Sequence, residues 1–258
     1  MRAAGGAVLF SMPLLMTMEM WWLGFAMERA HLAIFLGVFF PLLVALSFIS
    51  GFEETFDIKN DVVDALVAFA VAAVIALIML SVFGAIGPAL PAREVVGKIM
   101  VQTVPASIGA LLAQSQLSEH GETRPERANK YLLEIITMAA GALFLAFHVA
   151  PTEEIQLIAY RTTAFHSIGL IVLSLLCMDG FAYAVETTRR DRLSEDMPRF
   201  VGLLRYTVVG YAVAFLLSAF VLWSFGRFAD VWWGQVLMQT TVLAFPASIG
   251  ATAARLIL

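Results

Sequence analysis

Cysteine is almost missing from this chain: Cys177 is the only one. An intramolecular disulfide and a cysteine metal cluster are both excluded. Charge is scarce as well, at 14% of 258 residues, against roughly 25% in average soluble domains. The net charge of −4 and the lack of a basic stripe point away from a nucleic-acid partner. There is no P-loop, dinucleotide fingerprint, zincin motif or nucleophile elbow, so neither an ATP-driven pump in one chain nor a membrane-embedded enzyme is expected, and no cofactor is implied.

Apolar residues dominate instead, at 60%. A soluble fold this apolar could not cover its own surface, so the lipid bilayer is the expected solvent. With about 20 apolar residues per crossing, the chain reads as an all-α polytopic protein with eight spans, near 5–26, 31–51, 63–86, 95–114, 131–155, 158–184, 203–226 and 231–256. Met1-Arg2 and the apolar run after it have the look of a signal peptide. The run continues through Trp21, Trp22 and Phe25 without a cleavage region, which argues for a retained helix. Eight spans put both termini on one side. With the N-terminus inside, Arg2, Lys59, Arg124, Arg127, Lys130, Arg189, Arg190, Arg192, Arg199, Arg205 and Arg255 are internal, which is 11 of the 16 basic residues. The bias places both termini in the cytoplasm.

An internal duplication is visible. Pro105-Ala106-Ser107-Ile108-Gly109-Ala110 recurs unchanged as Pro246-Ala247-Ser248-Ile249-Gly250-Ala251. Gly97 with Gln102-Thr103 matches Gly234 with Gln239-Thr240, with four extra residues before the second motif. Phe83-Gly84 matches Phe225-Gly226, and Leu9-Phe10 with Glu19 matches Leu143-Phe144 with Glu153. The matches run in order, so 1–114 and 131–258 read as two four-helix repeats joined by a cytoplasmic linker at 115–130. An even number of spans in each copy predicts parallel repeats about an axis along the membrane normal. The loop at 52–62 is acidic, with Glu53, Glu54, Asp57 and Asp61 against Lys59; its counterpart at 186–202 is longer.

Ionisable groups inside spans are costly and are candidates for function. Glu19 is expected within the first helix, about a third of the way from the outer face. Its repeat mate Glu153 follows Pro151, with Glu154 adjacent. Two carboxylates near a central axis suit a cation site or a proton relay. The plainer reading leaves Glu153 and Glu154 in an outer loop and Glu19 bonded to a neighbouring helix. Gln102, Thr103, Gln239 and Thr240 are expected at similar depth, as neutral oxygen ligands or as interhelical hydrogen-bonding groups. Pro105 and Pro246 are expected to break their helices and free carbonyls, while the small residues around them let helices approach. Lys98 either snorkels to the interface or pairs with Glu19, with Gln235 as its neutral counterpart. Asp179 lines an inner vestibule or pairs with an arginine. His148 and His166 could titrate near neutral pH, and without a third ligand they make a poor metal site. Trp21, Trp22, Trp232 and Trp233 suit an interfacial belt.

The Thr-Met-Glu-Met-Trp-Trp run at 17–22, Pro151-Thr152-Glu153-Glu154 and the paired proline motifs resemble a bacterial family of integral membrane proteins without an assigned function. The resemblance implies a bacterial inner-membrane location and supplies no binding residues. From the residues themselves, the first expectation is a channel or secondary transporter for a small cation, proton or metal ion, with Glu19 and Glu153 binding it. The alternative is a non-transporting scaffold, sensor or accessory subunit. Whether the chain forms a homo-oligomer stays open.

Overall fold

A computed structural model describes residues 2–50, 58–117, 130–188 and 203–257. The acidic loop at 52–62, the linker at 115–130 and the loop at 186–202 fall largely outside the described residues. Among the described residues every regular element is helical: α1 (Arg2–Leu15), α2 (Met18–Ala26), α3 (Arg29–Ser50), α4 (Ile58–Val82), α5 (Ala92–Leu117), α6 (Lys130–Val149), α7 (Glu154–Arg161), α8 (Ala164–Thr188), a π-helical stretch Leu203–Val208 leading into α9 (Val209–Ser224), and α10 (Trp233–Ile257). Backbone N–H and C=O groups have no water partner in hydrocarbon, so a helix, which pairs them within itself, is the natural response to sequences this apolar.

Seven of these helices are long and apolar enough to cross a bilayer. A bent pair, Ala3–Leu15 with Met18–Ala26, makes the number up to eight. The protein is thus a multi-pass α-helical membrane protein. Three expected spans differ from the structure, one of them because 158–184 starts inside α7 and crosses the break between Arg161 and Ala164 before α8 begins. The stretch at 5–26 is bent by 90° between α1 and α2, and the stretch at 131–155 ends at Val149, where the chain turns into the separate short helix α7. α1 runs past Pro13 to Leu15 and turns at Met16 and Thr17, while Pro151 disfavours helical geometry at Ala150.

The chain divides into two compact units, Met1–Ile136 with Ser224–Gly226 and Thr137–Trp223 with Arg227–Leu258. In the first unit α5 is the central helix, with α1, α2, α3 and α4 all packed on it. Every residue from Val101 to Leu112 is buried. Lipid is as apolar as leucine, so helix association rests on close van der Waals packing and favours small residues. The buried face of α4 follows that rule, with Ala65, Ala68, Ala72 and Ala76 ahead of Leu80. Gly6 of α1 meets Gly109 of α5 so closely that a Cβ on Gly6 would lie 2.3 Å from the Gly109 carbonyl oxygen.

In the second unit α10 packs against α7 and α8. Gly250 of α10 meets Gly141 of α6, where an added Cβ would lie 2.3 Å from the Gly141 oxygen. Met178 of α8, Tyr211 of α9 and Ala244 of α10 form a buried cluster.

Helix α4 ends on Gly84 at φ 69° and α9 on Gly226 at φ 72°. The Ala85 N–H donates to Leu80 O at 2.9 Å, and the Arg227 N–H to Leu222 O at 2.9 Å. These six-to-one bonds define a Schellman stop, which needs a left-handed residue and so favours glycine. Gly84→Ala is expected to lower the unfolding midpoint, corresponding to about 1–2 kcal/mol. Thermal unfolding in detergent checks this, with Gly87→Ala, in open space at an ordinary φ, as the near-neutral control.

Candidate functional site

The break in the leading helix of each unit is the feature around which the polar residues gather. Ending α1 and α6 leaves their last carbonyls without helical partners. In the first unit Thr17 Oγ1 donates to Leu14 O at 2.7 Å and Trp21 Nε1 to Leu15 O at 2.8 Å. In the second, Thr152 Oγ1 donates to Val149 O at 2.8 Å, and the Arg227 guanidinium donates to Pro151 O. Trp21 therefore caps the end of α1, whereas Trp22, Trp232 and Trp233 are exposed. The caps Thr17, Thr152 and Arg227 were not singled out from sequence. The recurring Thr-x-Glu, at Thr17-Met18-Glu19 and Thr152-Glu153-Glu154, is the signal that would have found the two threonines.

Carboxylates follow each break. Glu19 stands in the first turn of α2, half-buried, past the bend rather than midway along a straight span. Glu153 caps α7 and Glu154 opens it, both exposed. Acidic groups at these positions face the positive end of a helix dipole. The Glu154 carboxyl is held below its ordinary 4.5, first by its own backbone N–H and then by the Thr152 hydroxyl. A depressed folded-state pKa contributes stability that is present above 4.5 and lost as pH falls through the folded value. Acidification below pH 4.5 is therefore expected to lower the unfolding midpoint of the wild type more than that of Glu154→Gln, as thermal scans between pH 6 and 3 would show.

Local hydrogen bonds recur along the chain at constant spacings. Thr17 to Leu14 recurs as Thr152 to Val149, Met27 N to Leu23 O as Thr162 N to Ile158 O, and Leu32 N to Glu28 O as Ser167 N to Thr163 O, each pair separated by 135 residues. The same spacing separates Glu19 from Glu154. At the start of the last helix, Glu94 N and Val95 N bond Pro91 O, while Gln235 N and Val236 N bond Trp232 O, 141 residues on. The proline motifs are also 141 residues apart. Gln239 stands about one turn further from its proline motif than Gln102 does from Pro105.

Gln102 is buried, and its Nε2 donates to Ser11 O of α1 at 3.0 Å. Thr103 and Thr240 are buried, and their hydroxyls bond the carbonyls of Ile99 and Val236 one turn back, both at 2.7 Å. Gln239 is fully buried, and neither atom of its amide has a hydrogen-bond partner. Pro105 and Pro246 do not break their helices; α5 and α10 run through both. Their neighbours Ser107 and Ser248 donate to carbonyls three residues back, and small residues hold the adjoining helices close enough to keep the backbone in place. Lys98 pairs with Glu94 at 2.6 Å and donates to Ala85 O at 2.9 Å, rather than meeting Glu19. Asp179 is exposed on α8. His148 Nδ1 meets Phe144 O, and His166 Nδ1 lies 2.8 Å from Thr163 Oγ1, each a local contact.

Within each unit, then, the short helix that carries the carboxylate packs on the helix that carries the amide: α2 on α5, and α7 on α10. The described residues contain no group of three or more His, Cys, Asp or Glu able to hold a metal ion.

The sequence model of the family described as "Putative integral membrane protein (DUF2391)" matches residues 1–258, and the chain belongs to that family. No curated protein and no solved structure matches the chain.

Proposed function

We propose that the two units are parallel copies of one bundle, four crossings each with both termini cytoplasmic in the inner membrane, and that the protein carries a small cation, a proton before a metal ion, across it. The observation that supports this reading is the recurrence, at one register, of a broken leading helix followed by a carboxylate: Glu19 after the α1–α2 bend and Glu154 after the α6–α7 turn. Broken helices with ionisable groups beside them are the usual apparatus of secondary transport. The proton is preferred on ligand number. Hard divalent cations take about 6–8 oxygens, whereas Gln102, Thr103 and Thr240 already bond backbone carbonyls. A proton needs one titratable carboxylate in reach of water. On this reading Glu19 and Glu154 exchange the proton, Glu153 adds negative charge at the mouth, and Gln102 fixes α1 against α5.

A second reading is favoured by the same satisfied bonds: a scaffold or accessory subunit in which amides and hydroxyls only hold helices together. Reconstituted liposomes separate the two. Proton uptake above empty liposomes, insensitive to sodium, potassium, magnesium and calcium, supports transport of protons. A metal-ion flux without proton uptake moves the assignment to that ion. No flux of any of the five from folded protein, with a stable partner on co-purification, supports the scaffold.

A further inference from the structure

Independently of the cation reading, we infer that a notch at one end of the second unit holds the phosphate of an anionic phospholipid, with Arg255 as its counter-ion. The notch is lined by Met138 of α6, Met178 of α8, Tyr206 and Thr207 of the π-helical stretch, and Thr252 and Arg255 of α10. All belong to the second unit. They gather where α6 and the π-helical stretch begin and α8 and α10 end. A π-helical turn is wider than an α-helical one and recurs at functional sites.

The depth is that of lipid headgroups. Tyr206 opens the crossing Tyr206–Ser224, and Arg255 stands next to the end of the crossing Trp233–Leu256. An arginine at the edge of the hydrocarbon presents its charge where phosphates lie, and basic pockets between crossing helices take lipid headgroups. Arg255 is held in place there, because its guanidinium lies 3.8 Å over the Tyr206 ring. Stacking uses the flat face of the guanidinium. Its five N–H donors lie along the edge, in the fork that matches a phosphate's oxygens.

The notch divides by polarity. Its floor is Met138 and Met178, each more than a turn inside the crossings Tyr131–Val149 and Ala164–Tyr183. Both are buried and lie against Gly210, where an added Cβ would be 3.0 Å from Met138 Sδ and 2.9 Å from Met178 Cε. Thr207 and Arg255 stand at the rim, with Thr252 between rim and floor. The cavity is about 10 Å³, which has room for about one water- or methylene-sized group. The phosphate therefore stays at the mouth beside Arg255, and one group of its ester enters. A lipid phosphodiester offers carbon to the methionine floor and oxygen to the rim. A free phosphate offers oxygen all round and meets no donor on that floor. Thr252 Oγ1 already donates to Ser248 O at 3.1 Å, so toward the notch it only accepts, which suits a headgroup carrying a hydroxyl, such as glycerol.

The test uses the purified full-length chain in detergent, titrated with short-chain phosphatidylglycerol at constant ionic strength. Phosphatidylcholine with the same chains and inorganic phosphate are titrated in parallel. The wild-type unfolding midpoint should rise saturably with phosphatidylglycerol, reaching at a hundredfold excess over Kd a roughly hundredfold larger folded-to-unfolded ratio. Phosphatidylcholine and inorganic phosphate should each bind about fivefold more weakly or worse. Arg255→Gln should weaken phosphatidylglycerol at least about tenfold, whereas Arg161→Gln, which removes the same charge at the exposed end of α7, should not. Thr252→Val keeps the shape, should weaken binding as well, and carries the test alone if Arg255→Gln does not fold. No saturable rise would mean that Arg255 only stacks and snorkels, and overturns the proposal. An equal rise with inorganic phosphate would make the notch a free-anion site, and an equal rise with phosphatidylcholine a site blind to headgroup charge. An unchanged response in Arg255→Gln would mark a general effect of lipid on the micelle. Each of these overturns it equally.

Discussion

Leucine at Gly109 is expected to leave almost no folded protein. Even an alanine Cβ there would lie 2.3 Å from the Phe10 Cβ and 2.6 Å from the Gly6 carbonyl oxygen. The second contact is with backbone, so it cannot be relieved by turning a side chain. Overpacking a tight interior typically costs about 1–3 kcal/mol for added methylenes. Separating two helices along their contact adds the loss of dispersion contacts on both faces, and in lipid those contacts are what hold helices together. A total of about 4 kcal/mol or more is expected, enough to unfold a marginally stable protein. Gly250→Leu should behave alike in the second unit, because its Cβ would meet Gly141 O at 2.3 Å. The control is Gly37→Ala on α3, with nothing within 4 Å, which should be neutral or raise stability by up to about 1 kcal/mol through helix propensity. The folded fraction by size exclusion and the unfolding midpoint read all three.

Much of this architecture is legible in the residues. The apolar runs mark the long helices because a bilayer leaves the backbone few alternatives, and α3, α4, α5 and α10 fall close to their expected spans. The Pro-Ala-Ser-Ile-Gly-Ala motifs point to close helix contact, and Gly109 and Gly250 sit at such contacts. The breaks are less legible. Pro105 and Pro246 look like the stronger breakers, yet α5 and α10 continue through them. α1 likewise continues through Pro13, and the chain turns where Thr17 and Thr152 cap the loose carbonyls, the second beside Pro151. Register was the other difficulty. Four residues are close to one helical turn, so Gln239-Thr240 can match Gln102-Thr103 in letters while standing a turn away. The helix-start bonds at Pro91 and Trp232 recur at the same spacing as the two proline motifs. The unpaired amide of Gln239 is a property of packing, which no spacing discloses.

The double variant Glu19→Gln with Glu154→Gln is expected to lower proton flux at least about tenfold, equivalent to about 1.4 kcal/mol at the barrier. Glutamine keeps the shape and a hydrogen-bonding oxygen and removes only the exchangeable proton. Both residues stand in the first turn of a short helix, so losing the charge weakens each helix start modestly, and the fold should survive. If the two carboxylates serve equivalent steps in two copies, each single variant lowers flux less than the pair does, and Glu153→Gln, one position out of register with Glu19, lowers it least. The most direct measurement is the initial rate of proton uptake into liposomes under an imposed potassium diffusion potential, at equal densities of wild-type and double-variant protein. A wild-type rate well above empty liposomes that collapses in the double variant is the predicted result. An equal rate in both, with both proteins folded, would contradict the role given to the carboxylates at the helix breaks.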